Sequence, residues 1–159
     1  MKKIKNLCGT GCTLIFMLLI NVSCIDDEPV GEIYGTIDNY LTSNGITNYK
    51  TTSSGLVYII DEPGTGALPT VGQTVSVHYT GYFLNDTPFD SSIGKSEPFS
   101  FVLGAGRVIA GWDEGIALFR EGGSGTLLIP SDLAYGSRGA GSIGQNENLK
   151  FDISLEEIQ

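Results

Sequence analysis

Four short stretches carry the residues of this 159-residue chain that could do chemistry. They are Val77-His78-Tyr79-Thr80-Gly81, Phe89-Asp90-Ser91-Ser92, Val108-Ile109-Ala110-Gly111-Trp112 and Leu133-Ala134-Tyr135-Gly136. Aromatic rings dominate them, and Asp90 is the one acid among those rings. Nucleophilic catalysis needs a nucleophile beside a base, and the pattern offers no such pair. His78, the single His, has no acid or Cys companion and points opposite Tyr79 on an alternating strand, so it reads as structural. Ser131 lacks a base in the same way. Gly104-Ala105-Gly106 matches a phosphate loop only in part, because Ile109 stands at the third glycine position of the dinucleotide fingerprint. With neither a His/Cys cluster nor a phosphate cradle in the folded body, no metal and no cofactor is expected. Singly, Tyr79, Phe99 and Phe101 read as core and Asp90 as a turn acid. Jointly, with the lone Trp112, their spacing reads as a ligand pocket.

Positioning these groups takes one helix among several strands. Ile109, Trp112, Ile116 and Phe119 recur at spacings of three, four and three, the apolar stripe of a short amphipathic helix over residues 107–120. Asp113 and Glu114 fall in its first turn, where the helix dipole favours acids. Arg120 closes the last turn, and Gly122-Gly123 supply a left-handed stop. Around this helix the chain reads as about five strands, over residues 56–60, 74–82, 98–103, 126–130 and 149–155. In the second of them Val75, Val77 and Tyr79 face one way and Ser76, His78 and Thr80 the other. Residues 131–148 form a Gly-rich loop of a length that is often functional. Upstream, Ile33, Ile37, Tyr40 and Leu41 predict a short helix over residues 32–44 stopped by Asn44-Gly45, and residues 51–54 read as a linker or turn.

In their order and spacing the four stretches, with Pro98-Phe99 and Phe151, resemble the FKBP-type peptidyl-prolyl isomerases over roughly Gly55 to Glu157. The resemblance implies an α+β fold, an antiparallel sheet of five or six strands wrapped around one short helix. It carries a pocket onto Tyr79, Phe89, Asp90, Phe99, Val108, Ile109, Trp112, Tyr135, Ile143 and Phe151. Trp112 would be the floor beneath a prolyl ring, with Tyr79, Phe99 and Phe151 as walls. The Ile109 N–H, at a helix entrance where backbone donors lack partners, would bind a substrate carbonyl. Tyr135 would donate a second hydrogen bond, and Asp90 would orient Tyr79 or face the twisting amide. The implied activity is rotation of X–Pro bonds in exported proteins during folding, and the implied ligands are proline-containing polypeptides and the family's macrolides. Such rotation makes and breaks no bond, yet its barrier is about 18–20 kcal/mol. Uncatalysed X–Pro exchange takes roughly tens to hundreds of seconds, so a thousandfold gain needs about 4 kcal/mol. An apolar pocket contributes by withdrawing the water that stabilises the planar amide.

Two departures from the family pattern stand out. Gly123-Ser124-Gly125 replaces a more polar strand start, which is expected to weaken it locally. Ile143-Gly144-Gln145-Asn146 replaces Ile-Pro-Pro-Asn, and losing two prolines is expected to loosen the loop tip. A tethered proline-recognising module with incidental turnover is the competing reading. A structural lipoprotein that keeps the fold without the site is a third.

Composition sets the surroundings. A 41% apolar content with 22 Gly suits one turn-rich β domain with a short extension. The formal net charge is -9, and beyond Lys2, Lys3 and Lys5 only six basic residues face 18 acidic ones, which argues against nucleic acid as a partner. Cys8, Cys12 and Cys24 all lie in the first 24 residues. The basic start and an apolar run over residues 14–20, too short to span a bilayer, lead through Asn21-Val22-Ser23 to Cys24. This resembles a bacterial lipoprotein signal, cleaved before Cys24 with lipid on its sulfur, although Asn21 stands where the pattern has Leu. A plain secretory signal is the alternative. The expected organisation is a signal peptide over 1–23, a tether with a short helix over 24–54 and an isomerase domain over 55–159. The protein is expected to be a monomer, held by the lipid to the cell envelope at the outer membrane, on its periplasmic or its surface face. The acidic run Asp26-Asp27-Glu28 reads equally as a surface-display signal or a solvated tether.

Overall fold

Short apolar runs punctuated by glycine turns form seven antiparallel strands in the computed structural model, which describes residues 35–159. The signal segment, the Cys24 lipid site, the acidic run and Ile33 of the upstream helix lie outside the described residues. The strands are β1 (Lys50–Thr51), β2 (Val57–Glu62), β3 (Thr74–Phe83), β4 (Pro88–Ser91), β5 (Phe99–Val102), β6 (Ser124–Ile129) and β7 (Leu149–Ile158). Their order is β1-β2-β6-β7-β3-β4, and β5 also pairs with β3. Within β3, Val77 lies opposite Phe99 of β5 and Gly81 opposite Asp90 of β4. One long strand therefore delivers both edge strands to the same end of the sheet. β1 and β4 were not predicted as strands, because two and four residues are too few for alternation to register. Lys50 and Thr51 pair with Tyr58 and Val57, so the strand takes in Thr51 from the stretch read as a turn.

The central helix is half as long as its apolar stripe suggests. Only Ala110–Gly115 is α-helical (α2); Ile116–Leu118 continue as a 3₁₀ turn, and Phe119 is extended. The stripe itself is inside, with Trp112, Ile116 and Phe119 all buried. Gly111 and Gly115, four residues apart, explain the close seat. A Cβ on Gly111 would collide with Ile129, and one on Gly115 would sit 2.5 Å from Leu127 Cδ1, so α2 lies flush on β6. Glycine is also a poor helix former, and at Gly115 the chain tightens into the 3₁₀ turn. Gly122 is left-handed, with φ 75°, but it turns the chain into β6 rather than stopping a helix. Gly125, expected to weaken the start of β6, is required there: any side chain would strike the Ile59 carbonyl.

Leu127 and Ile129 point into the main core with Trp112 and Phe151, whereas Leu128 between them points the other way. On that back face it meets Val57, Leu84 and Leu41, the last from α1 (Ile37–Ser43). The Thr36 hydroxyl caps α1 by accepting the Asn39 N–H at 3.1 Å, and Gly45 at φ 62° follows its end. Lys150 of β7 holds the helix in place. Its Nζ lies 2.6 Å from Asp86 Oδ1 and 3.1 Å from the Tyr40 hydroxyl, and the Tyr40 hydroxyl donates to Asp86 at 3.0 Å. Burial alone would depress the Lys150 ammonium, but its bonds to Asp86 and Tyr40 raise it overall, and Lys150 in turn lowers the Asp86 carboxyl. The pair stays charged at neutral pH. No helix among the described residues is long and apolar enough to cross a membrane.

Candidate active site

At the end of the sheet where β3, β4 and β5 meet, a cavity of about 280 Å³ opens over α2. Nine of the ten pocket residues taken from the sequence line it: Tyr79, Phe89, Asp90, Phe99, Val108, Ile109, Trp112, Tyr135 and Phe151. Ile143 does not. It is buried in the core and pairs with Ala140 across the loop tip. Arg107 is the lining residue that the sequence did not single out.

Trp112 lies at the centre of the aromatic set. It meets Tyr79 at 4.9 Å and Phe151 at 5.3 Å between ring centroids, both at 82°, and Phe99 at 5.9 Å and 71°. Edge-to-face geometry of this kind places positive ring edges on negative ring faces. Gly81 makes the room: a Cβ there would lie 2.6 Å from Phe89 Cζ and 2.8 Å from Phe151 Cε1. Trp112 and Phe151 are buried, at 5% and 4% exposure, but Phe99 is 41% exposed and forms rim rather than core. The buried Trp112 Nε1 has no acceptor among the described residues.

Of the two roles suggested for Asp90, the geometry contains the first. The Tyr79 hydroxyl donates to Asp90 Oδ2 at 2.5 Å, while Oδ1 accepts the Ser91 N–H at 2.8 Å and lies 3.8 Å from Lys95 Nζ. The Tyr79 backbone is held as well, since its N–H donates to Ser92 Oγ at 2.8 Å and its carbonyl accepts the Ser92 N–H at 2.9 Å. Ser92, in the second of the four stretches, thus holds the Tyr79 backbone in place, a role that its sequence position did not reveal. Ser92 Oγ also lies 3.2 Å from His78 Nδ1, and His78 is not among the residues lining the cavity. Burial, then the hydrogen bond to Asp90, pushes the Tyr79 hydroxyl well above the ordinary tyrosine value. Burial, then the Asp90 charge, raises Tyr135 too. Both remain protonated donors at neutral pH.

Besides the Trp112 indole N–H, two further donors are unspent. Ile109 is the N-cap of α2; its carbonyl accepts the Trp112 N–H at 2.9 Å, and its own N–H has no acceptor among the described residues. The Tyr135 hydroxyl likewise has no partner there. Tyr135 is carried by the long loop, whose ends are tied where Asn148 Oδ1 accepts the Ser131 N–H at 3.0 Å. The Ile143-Gly144-Gln145-Asn146 tip, expected to be loosened by the missing prolines, is tied back where the Asn146 N–H donates to the Gly136 carbonyl at 2.8 Å, and two 2.9 Å hydrogen bonds between Ala140 and Ile143 close the turn before it. Val108 and Ile109 follow a turn clipped by Asp113, whose two oxygens accept the Gly104 N–H at 2.8 Å and the Gly106 N–H at 3.1 Å. Among the described residues no group of three His, Cys, Asp or Glu could hold a metal ion. The arrangement can grip an apolar ring and donate to nearby carbonyls, with no group placed to attack a bond.

An antiparallel sheet curled over one short helix, with this aromatic cavity at its end, is the architecture of one protein family, and the chain belongs to it: the FKBP-type peptidyl-prolyl cis-trans isomerases, whose model matches residues 66–156. The particular relatives are of two kinds. Over 136 residues the chain is 44% identical to the isomerase FkpA of Aeromonas hydrophila, covering 85% of this chain and 48% of that protein. Over 102 residues it is 46% identical to FK506-binding protein 1 of Dictyostelium discoideum, covering 64% of this chain and 95% of that one. The crystal structure of FkpA from Escherichia coli superposes with a TM-score of 0.70 at 38% identity, over 77% of this chain and 56% of that one. The chain spans about half the length of the FkpA relatives it matches.

Proposed function

We propose that this chain is a peptidyl-prolyl cis-trans isomerase acting on proline-containing segments of exported polypeptides as they fold. One observation carries the proposal: a single cavity joins aromatic walls to the Ile109 N–H and the Tyr135 hydroxyl, neither of which has a partner among the described residues. A prolyl ring packs on Trp112 between Tyr79, Phe99 and Phe151. Losing water on these walls withdraws the solvation that favours the planar amide, and donors fixed before the substrate arrives hold neighbouring carbonyls while the bond turns. Asp90 contributes by fixing Tyr79. The test is a proline-limited refolding assay with a fragment beginning at Gly31, which keeps every described residue. Catalytic amounts should shorten the slow phase many-fold; an unaltered slow phase would refute the reading. A proline-binding module would bind the same peptides without that acceleration. The name of the Dictyostelium relative, FK506-binding protein 1, extends the proposal to macrolide ligands of that kind, which should compete with peptide. The cavity of about 280 Å³ falls just below the range of ligand sites, roughly 300–1,000 Å³, so a macrolide would extend past the Phe99 rim.

The proposed setting is the bacterial cell envelope, with a monomer held to the membrane through lipid on Cys24. The support is the sequence pattern of a basic start, a short apolar run and Cys24. One acyl chain gives only reversible binding, so more than one is expected. Cys24→Ser should move the protein from the membrane fraction to the soluble one, and a wild-type protein already soluble after export would exclude the lipid.

A further inference from the structure

Arg107 lines the cavity, yet nothing in the isomerase reading uses its guanidinium. The side chain is exposed, and no hydrogen bond or ion pair engages it among the described residues. Its backbone, by contrast, is well fixed. Gly104 and Gly106 take left-handed φ of 75° and 64°, and Asp113 clips both of their N–H groups. The guanidinium is therefore displayed from a defined turn at the mouth of the cavity.

The acids around it are engaged elsewhere. Asp113 and Glu114 are the acids on the element that follows Arg107; both Asp113 oxygens are occupied by backbone donors, and the Glu114 carboxylate accepts the Ser54 hydroxyl at 2.7 Å. Asp90, across the cavity, is engaged by the Tyr79 hydroxyl and the Ser91 N–H and faces Lys95 at 3.8 Å. Two carboxylates, Asp90 and Asp113, thus stand near the two cations Arg107 and Lys95, and the hydrogen bonds these acids already accept leave the guanidinium uncommitted. The chain as a whole carries a formal charge of -9, so an uncommitted cation at the cavity mouth stands out.

We propose that Arg107 makes the site select prolines with an acidic side chain within two residues on either side, through a charge-assisted contact to that carboxylate. This deepens the isomerase reading by naming a substrate class, and its kinetic consequence rests on that reading. The contact lies at an exposed rim, so the effect is modest. Peptides with Glu beside Pro should bind about three- to tenfold more tightly than the same peptides with Lys. Raising the salt to about 0.5 M should shrink that ratio.

The test uses matched prolyl peptides with Glu, Gln or Lys placed before or after the proline. Binding is read from the fluorescence of Trp112, the chain's single Trp, and turnover from kcat/KM in the same series. Wild type should rank Glu over Gln over Lys in both. Arg107→Gln should flatten the ranking, Arg107→Glu should reverse it, and Arg107→Lys should keep most of it. A purely structural role for Arg107 would shift all three peptides together. An unchanged Glu-to-Lys ratio in Arg107→Glu, or no ranking in wild type, overturns the proposal. If wild type ranks the peptides in binding but turns none of them over, the isomerase reading falls and the role of Arg107 stands.

Discussion

The Tyr135 hydroxyl and the Phe99 ring can each be removed with little disturbance to the core, which makes the site testable residue by residue. Tyr135→Phe takes away one unpartnered hydroxyl and leaves the half-buried body, so kcat/KM should fall several-fold, about 0.5–1.5 kcal/mol, with little change in melting. Asp90→Val should also lower activity, because Tyr79 loses the acceptor that fixes it at 2.5 Å. His78→Ala should cost far less, since that ring is not among those lining the cavity. A proline-limited assay on all three decides the assignment, and loss of turnover in His78→Ala alone would invert it. Phe99→Ala and Phe151→Ala should separate binding from stability. The first ring is 41% exposed and should weaken peptide binding at nearly constant melting temperature. The second is 4% exposed, and its removal should cost about 3–5 kcal/mol of stability. Most of these residues were legible because aromatic side chains in a fixed order are uncommon. Arg107 was not, because a charged residue before a helix looks like any solvated side chain.

For the elements, legibility followed length. β3 and β7, ten residues each, announce themselves by alternation, while β1 and β4 are set by pairing partners distant in sequence. The stripe of α2 was visible, but its short extent depends on Leu127 and Ile129 pressing against Gly111 and Gly115, a tertiary contact that periodicity does not contain. The long loop hides a similar feature. Glu147 is only 3% exposed, its Oε1 has no partner among the described residues, and burial raises its carboxyl above the ordinary value. A raised folded value means that the folded state holds this proton more tightly than the unfolded chain. Stability is therefore lost as pH climbs from the unfolded value through the folded one. Glu147→Gln removes that penalty. Thermal melts should show the variant above wild type at about pH 7 and the two converging near pH 4. A wild type that melts higher than the variant at neutral pH would mean that Glu147 is satisfied as an anion.

Seen whole, the molecule has a working face and a fastened back. The family and the antiparallel sheet over one helix were readable from the sequence, since four separated motifs at compatible spacing constrain one topology. The attachment of α1 was not, because Lys150, Asp86 and Tyr40 come from three distant segments and none is unusual alone. That attachment has a mechanical consequence. A pull applied through the N-terminal side of the chain reaches α1 first, and α1 meets the sheet through side chains around Leu41 and the Lys150 cluster. β1 and β2, next along the chain, are joined backbone to backbone. Under tension α1 should peel away before any strand separates, releasing about 15 residues and about 50 Å of slack. Optical-trap extension should show this as a small first step, weakened by Lys150→Met, with peptide still bound at the far end. A single rupture with no early step would mean that α1 and the sheet yield together. With an early step, α1 would serve as a slack reel, lengthening the reach of the domain while the cavity keeps its shape.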